Sequence, residues 1–293
     1  MSIALFPGQG VQSAGMDWGL HEGASEVFVL ASEVLGVDVA ELCSTGRSGA
    51  ADLTSTRWAQ PAVVVCSVAA FRSLGENVAA AAGHSIGEYA ALVCAGAIDL
   101  ADAIRLVALR ARVTEEAGAR TPGGMAAVMK IDREDVDRIC AQTGIALAAD
   151  NSSGQYVISG ASDVLDAALK EFSETKAIAR KLDVSAAFHS PVMAPAMEPL
   201  REALAAVSFV RPSIEIWSST TGSPIGDPDE IRAALVDQLV SPVRWRETVD
   251  AMSAKHGKTF VDVGPGKVVG ALAKRIVQGA DVSFAADLLG APA

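Results

Sequence analysis

Basic residues are in deficit in this chain: 24 Lys and Arg stand against 35 Asp and Glu, a formal net charge of −11. A surface of that sign repels phosphate backbones and excludes general nucleic-acid binding. It leaves room for a small anionic ligand, because one arginine in a cleft outweighs a diffuse negative field. Cysteine is also sparse. Cys43, Cys66, Cys94 and Cys140 stand far apart with no C-x-x-C pair, which reads as reduced thiols rather than disulfides or a metal site. The histidines, His21, His84, His189 and His256, lack H-x-x-x-H spacing, so no metal is expected. Aromatic residues make up 5% of a chain that is half hydrophobic, so the core must be built from Ala, Val, Leu and Ile. The alanine-heavy runs are too often interrupted by charge to cross a bilayer. The opening MSIALFPGQG has no basic stretch and breaks at Pro7-Gly8, unlike a signal peptide. A soluble, cytoplasmic protein with no membrane partner is expected. Its 293 residues suffice for one large domain, or for a domain carrying a smaller insert.

The chain is organised around Val78 to Ala95, VAAAAGHSIGEYAALVCA. A run of small and β-branched residues meets Gly83-His84-Ser85-Ile86-Gly87, and a helical pattern follows at once. This is G-x-S-x-G at a strand-to-helix turn, where the serine hydroxyl projects from a strained backbone and small neighbours let strand and helix approach. Ser85 is the candidate nucleophile. The helix beginning behind it leaves unpaired N–H groups aimed at the turn, where the oxyanion of an acyl transfer could rest.

Ser2 to Phe6 is an apolar strand running into Pro7-Gly8-Gln9-Gly10. A dinucleotide fingerprint would need glycine at position 13, where Ser13 stands, so that reading fails. The remaining use of such a turn is close backbone approach to a ligand, with Gln9 as a donor. Helices are expected from Glu26 to Leu35, from Gln60-Pro61 with proline in the first turn to about Leu74, and from the N-cap Asp99 to about Ala117. At about 100° per residue, Arg105 and Arg112 share one face of the last helix, while Arg110 lies among Ala103, Leu106, Val107 and Val113. A guanidinium there needs an anionic partner, either a structural acid or a carboxylate on a substrate.

A different organisation begins after Thr121-Pro122-Gly123-Gly124. Strands at Met125 to Ile131, Ile145 to Ala149, Gln155 to Ser159 and Ala177 to Val184 alternate with helices at Arg133 to Thr143 and Ser162 to Glu174, with a turn at Asn151 to Gly154. The order β-α-β-β-α-β is that of a ferredoxin-like unit. Ser190-Pro191 then resembles an N-cap with proline at the first helical position, which places His189 before a positive helix end that disfavours imidazolium. The remainder returns to α/β alternation. A strand is expected at Ser213 to Ser218, helices from Asp227-Pro228 and from Ser241-Pro242, a strand at Thr259 to Val263, and a last helix to about Val277. Gly264-Pro265-Gly266-Lys267 is not a P-loop, since Val268 follows the lysine.

Taken in order, FPGQG, GHSIGE, Arg110, AFHS at Ala187 to Ser190, the QL-x-x-PV-x-W run from Gln238 to Trp245, and VGPGK at Val263 to Lys267 closely resemble the malonyl-CoA:acyl carrier protein transacylases and the acyltransferase domains of polyketide synthases. The resemblance covers essentially the whole chain. It implies a Ser85 nucleophile, His189 as its base, Gln9 and Ile86 as backbone donors of the oxyanion hole, and Arg110 as the group that holds a malonyl carboxylate. Gln238 matches the position whose main-chain carbonyl orients the histidine. Phe188 matches the malonyl-selective form of the motif, where a bulky ring crowds an α-methyl branch.

The implied fold is α/β: an α/β-hydrolase-like catalytic subdomain from residues 1–122 and 187–293, with a ferredoxin-like subdomain inserted at 123–186. The implied activity is malonyl transfer from malonyl-CoA, a coenzyme A thioester, to an acyl carrier protein for fatty acid synthesis, with no cofactor and with a monomer expected. A polyketide pathway would use the same chemistry. Because carrier proteins are acidic, docking needs local basic patches, for which Lys176, Arg180 and Lys181, and Lys267, Lys274 and Arg275, are the candidates. A serine hydrolase would instead call for an acid in triad order and no cleft arginine. A catalytically silent binding module would be expected to lack Ser85, His189 or Arg110.

Overall fold

The computed structural model describes residues 1–19, 22–184 and 186–290; His21 and Ser185 lie outside the described residues. The chain opens with β1 (Ser2–Phe6), buried at all but its first position. It continues through α1 (Glu22–Leu35), α2 (Val39–Thr45) and a minimal hairpin of β2 (Arg47–Ser48) and β3 (Ala51–Asp52).

The next helix, α3 (Thr56–Leu74), starts earlier than its proline suggests. Ser55 caps it by accepting from the Arg57 N–H, so Pro61 lies inside the helix rather than in its first turn. An interior proline costs about 3 kcal/mol, chiefly by removing one hydrogen bond to the carbonyl four residues back. Here that carbonyl belongs to Arg57, an exposed residue where water can take the bond. The extra turn has a functional consequence, because it carries Thr56 and Gln60 to the site.

β4 (Val78–Gly83) turns sharply into α4 (Gly87–Cys94), which is followed by α5 (Leu100–Arg120). Asp99 caps α5 by accepting from the Ala101 N–H at 2.8 Å. As its phase predicts, α5 buries Arg110 and leaves Arg105 and Arg112 at the surface, paired with Asp102 and Glu116.

A second group of elements follows: β5 (Gly123–Met129), α6 (Arg133–Thr143), β6 (Ala146–Ser152), β7 (Gln155–Ala161), α7 (Ser162–Ser173) and β8 (Ile178–Lys181). They form an antiparallel sheet in the order β6-β7-β5-β8. Strand alternation divides its faces. Ala126, Val128, Tyr156 and Ile158 pack with Val136, Ile139, Leu165 and Phe172 of the two helices. Met125, Ala127 and Val157 point the other way, into a cleft. The turn between β6 and β7 is tighter than the sequence suggests: only Ser153 and Gly154 form it, and Asn151 stays in the strand.

The chain then passes through a 3₁₀ turn (Pro191–Ala196), α8 (Met197–Ala205), β9 (Glu215–Ser218), β10 (Ser223–Ile225), α9 (Pro228–Asp237), α10 (Trp245–His256), β11 (Thr259–Asp262), α11 (Val268–Ile276), β12 (Asp281–Phe284) and α12 (Ala285–Leu288). Ser241-Pro242 does not open a helix. Val243 instead pairs with the edge of β6: its N–H donates to Ala148 O and its carbonyl accepts from Asp150 N–H, both at 2.9 Å. The edge strand's free hydrogen-bonding groups hold this stretch extended, and α10 begins only at Trp245. Asp150 reinforces the junction through ion pairs to Arg133 and Arg246.

The larger sheet has the order β10-β9-β4-β1-β11-β12, parallel except for β10. Its central strands are buried on both faces, which suits the near-continuous apolar runs of β1 and β4. Register places Phe6 beside Gly83 and Leu5 beside Asp262. The turns after β1, β4 and β11 therefore emerge level at the carboxyl edge of the sheet, where parallel α/β sheets place their ligand sites. The whole is a mixed α/β fold.

Candidate active site

The glycines of the serine turn are required sterically. A Cβ on Gly83 would lie 2.0 Å from the Glu88 nitrogen, and one on Gly87 would lie 2.4 Å from the Phe6 carbonyl oxygen. Ser85 sits between them at φ 53°, in the left-handed region that a side chain other than Asn or Asp rarely enters. His189 shares that strain at φ 57°. Two strained residues facing each other are the mark of a site held by its surroundings.

Ser85 Oγ lies 2.9 Å from His189 Nε2. On the other side of the ring, His189 Nδ1 lies 2.8 Å from the Gln238 carbonyl oxygen and 3.2 Å from that of Ser241. A carbonyl can only accept, so Nδ1 carries the proton and Nε2 presents its lone pair to the serine hydroxyl. Burial, and after it the Arg110 guanidinium, push the His189 pKa down to about 3. The ring is therefore neutral at pH 7. The expected helix end is present: Ser190 Oγ accepts from the Val192 N–H, Pro191 opens a 3₁₀ turn, and that turn runs directly into α8.

Arg110 reaches the site from α5 and is almost wholly buried. Its Nη1 donates to Gln60 Oε1 at 2.6 Å, and its Nη2 to Gln238 Oε1 at 3.2 Å and Ser85 Oγ at 3.4 Å. Among the described residues no carboxylate forms an ion pair with it, and its Nε has no hydrogen-bond partner. Of the two partners open to it from the sequence, a structural acid is absent from its immediate contacts. Neutral amide oxygens bracket a charge that remains to be matched.

The backbone N–H groups of Gln9 and Ile86 have no hydrogen-bond partner among the described residues. The Gln9 side chain is already engaged, accepting from Thr56 Oγ1 at 2.9 Å. Gly8 must be glycine at this crossing, since a Cβ would lie 2.7 Å from the His84 carbonyl oxygen. A cavity of about 300 Å³ opens over these groups, walled by Phe188, Met125, Ala127, Val157, Leu182 and Val269. One polar neighbour crosses from the smaller sheet: His84 Nε2 lies 2.9 Å from Asn151 Oδ1.

Sequence reasoning missed Thr56, Gln60, Glu88 and Asn151. Glu88 is fully buried and accepts from Gln238 Nε2 at 3.0 Å. Burial pushes its carboxyl up to about 7, against the hydrogen bonds from Ser218, Gln238 and Ser219. Its place inside GHSIGE was the available signal, but helical phase alone does not say that a carboxylate one turn into α4 is buried.

The basic candidates fall in different places. Lys267, Lys274 and Arg275 belong to or adjoin α11, whose Val268, Val269 and Leu272 line the cavity. Lys267 pairs with Asp287, Lys274 lies over the Phe284 ring, and Arg275 donates to Gln155 at the cavity wall. On β8, Arg180 pairs opposite Ala127 and so shares the cleft face. Lys181 pairs opposite Ala126 and bonds Asp166 of α7, on the helix-covered face. Lys176 is exposed.

Cys43 and Cys66 are buried thiols, and Cys94 and Cys140 are half-buried. Among the described residues no group of His, Cys, Asp and Glu could hold a metal, and no helix is long and apolar enough to cross a membrane.

A serine on a strained strand-to-helix turn, a neutral histidine oriented by a main-chain carbonyl, and two free backbone donors are the parts of an enzyme that transfers acyl groups through a serine ester. Residues 4–291 match the acyl transferase domain family, and the chain belongs to that family. Among its relatives is the malonyl CoA-acyl carrier protein transacylase of Escherichia coli strain K12, 37% identical over 287 residues that cover 93% of this chain and 92% of that protein. The structure of the malonyl CoA-acyl carrier protein transacylase from Coxiella burnetii superposes with a TM-score of 0.92 at 34% identity, covering 99% of this chain and 96% of that one. A malonyl-transacylase solved in complex with its type II polyketide synthase acyl-carrier protein also gives 0.92, at 35% identity over 97% and 96% of the two chains.

Proposed function

We propose that this protein moves malonyl from malonyl-CoA to the phosphopantetheine thiol of an acyl carrier protein through an ester on Ser85, and so feeds fatty acid synthesis. His189 Nε2 takes the hydroxyl proton as Ser85 Oγ bonds to the thioester carbon. The resulting oxyanion rests against the Gln9 and Ile86 N–H groups. Collapse breaks the carbon–sulfur bond, and coenzyme A leaves with the proton held by the imidazolium. In the second half the carrier's thiol gives its proton to His189 and attacks the ester. The carbon–oxygen bond then breaks, and Ser85 recovers its proton. No metal or cofactor takes part.

The observation that carries the choice of malonyl is Arg110, a buried guanidinium 3.4 Å from the nucleophile with no carboxylate of the described chain paired to it. Nη1 spends one hydrogen on Gln60 Oε1, and Nη2 one on Gln238 Oε1 with its other aimed at Ser85 Oγ; the second Nη1 hydrogen and the unpartnered Nε–H leave the cation with donors to offer a free carboxylate. Phe188, buried beside His189, would crowd an α-methyl branch, a preference of about 1 to 3 kcal/mol for malonyl over methylmalonyl.

The two sheets support an α/β-hydrolase-like catalytic subdomain from 1–122 and 187–293 and a ferredoxin-like insert at 123–186. The carrier would approach past α11 and Arg180, at the cavity mouth. We place the enzyme in the cytoplasm, as a monomer.

Intact-protein mass spectrometry after brief mixing with malonyl-CoA tests the reading. A malonyl adduct that is absent from Ser85→Ala and discharges onto added holo carrier protein is expected. An adduct lost only to water would make the protein a hydrolase, and no adduct at all would end the proposal.

A further inference from the structure

We infer that Glu88 is a positioning residue of this site, acting through the Gln238 side-chain amide to aim Arg110 at the carboxylate of the incoming acyl group. The inference rests on the malonyl-transfer reading above and extends it to a residue whose carboxyl group has no hydrogen bond to Ser85.

A glutamine amide can sit in either of two orientations, and its neighbours decide which. Gln238 Nε2 donates to Glu88 Oε2 at 3.0 Å and to the Ser85 carbonyl at 3.1 Å. Both partners are acceptors, so the NH₂ must face them. That leaves Gln238 Oε1 turned toward Arg110 Nη2, 3.2 Å away. The flipped amide would set oxygen against two oxygens and a donor against a guanidinium.

Gln60 acts on Nη1 in the same sense, with its own amide fixed by donation to Thr56 Oγ1 at 3.0 Å. Arg110 is thus held between two oriented carbonyl oxygens, and one of those orientations depends on Glu88. Gln238 and Glu88 are fully buried, so no water substitutes for the lost contact. Ser219 Oγ, 3.4 Å from Glu88 Oε2, steadies the carboxylate from the other side. A carboxyl group in so dry a place needs hydrogen-bond partners, and Gln238 and Ser219 supply them.

The test compares loading of Ser85 by malonyl-CoA with loading by acetyl-CoA, which lacks only the carboxylate that Arg110 would hold. Glu88→Ala removes the acceptor. Glu88→Asp keeps the charge but draws it back by one methylene and breaks the contact. In both variants the malonyl-to-acetyl ratio of kcat/KM is expected to fall about tenfold, the worth of one hydrogen bond to a charged group, with the change in KM for malonyl-CoA. An equal loss for both thioesters would make Glu88 merely structural and overturn the inference. A ratio within twofold of wild type, or one that rises, would overturn it as well. If Glu88→Ala does not fold, Glu88→Asp decides. A wild-type enzyme that forms no malonyl ester on Ser85 would instead sink the underlying reading, and this inference with it.

Discussion

His189 Nδ1 lies 2.8 Å from the main-chain carbonyl of Gln238, so the group that orients this histidine, the proposed base, belongs to the backbone. No side-chain substitution at 238 deletes it. Gln238→Ala should therefore cost about tenfold in malonyl loading, through loss of the amide that brackets Arg110, while His189→Ala should cost about a thousandfold or more. Steady-state kinetics of both variants separate the two effects. Equal losses would mean that the side chain, not the carbonyl, governs the histidine.

The pH dependence follows from the same bond. A histidine with an ordinary pKa near 6.5 would switch off the enzyme on mild acidification, but His189 is pushed down to about 3. Acetyl loading of Ser85 should therefore show no inflection from this residue between about pH 5 and 8. In stability terms the unfolded chain takes up the proton first as pH falls. His189 thus costs nothing above about 6.5 and progressively destabilises the fold from there down to about 3. Rapid-quench loading across that range checks it, and an inflection near 6.5 would contradict the geometry.

Ser85 holds its hydroxyl in place at φ 53°, and that strain should be recoverable. Ser85→Gly and Ser85→Ala both remove the hydroxyl, but only glycine relaxes the turn. Left-handed strain of about 1 to 3 kcal/mol, less the entropy glycine adds to the unfolded chain, leaves about 1 kcal/mol in favour of glycine. The glycine variant should melt about 2 to 4 °C above the alanine variant in calorimetry. A lower melting temperature would mean that the turn is not strained.

Asp262 at the end of β11 is a second buried carboxylate, accepting from the Gly270 N–H at 2.8 Å. Burial pushes its pKa up to about 7 from an ordinary 3.8. The folded chain therefore keeps a proton that the unfolded chain releases. The stability is fully present below about pH 4 and is lost as pH rises through about 7, to a limit of about 4 kcal/mol. Asp262→Asn keeps the acceptor and removes the titration. Its melting temperature should exceed that of wild type by several degrees at pH 8.5 and not at pH 4.5. A constant difference across pH would exclude the buried proton.

Much of this site was legible in the sequence because its parts make demands that few residues meet. The turn around Ser85 needs glycine at 83 and 87, and helical phase alone turned Arg110 inward. The order of β5 through β8 could be read from period and turns. What escaped depends on partners distant in sequence. Pro61 suggested a helix start, but the cap is Ser55, and so Thr56 and Gln60 went unnoticed. Ser241-Pro242 carried a helix-start signal that pairing of Val243 with β6 overrode. The helix start after His189 is legible from Ser190-Pro191, but burial and the Arg110 guanidinium, which also push its pKa down, come from partners distant in sequence. Glu88 was hidden because a lone sequence does not reveal which face of α4 meets Gln238.

The central claim is that Arg110 serves the acyl group and not the fold. The direct measurement is the kcat/KM of Arg110→Ala with malonyl-CoA and with acetyl-CoA. Malonyl loading should fall by about a hundredfold or more, as expected for a lost bidentate charge pair. Acetyl loading should hold or rise, because removing the guanidinium also relieves the depression of the His189 pKa. Loss of both activities by the same factor would show that Arg110 is structural and would contradict the account.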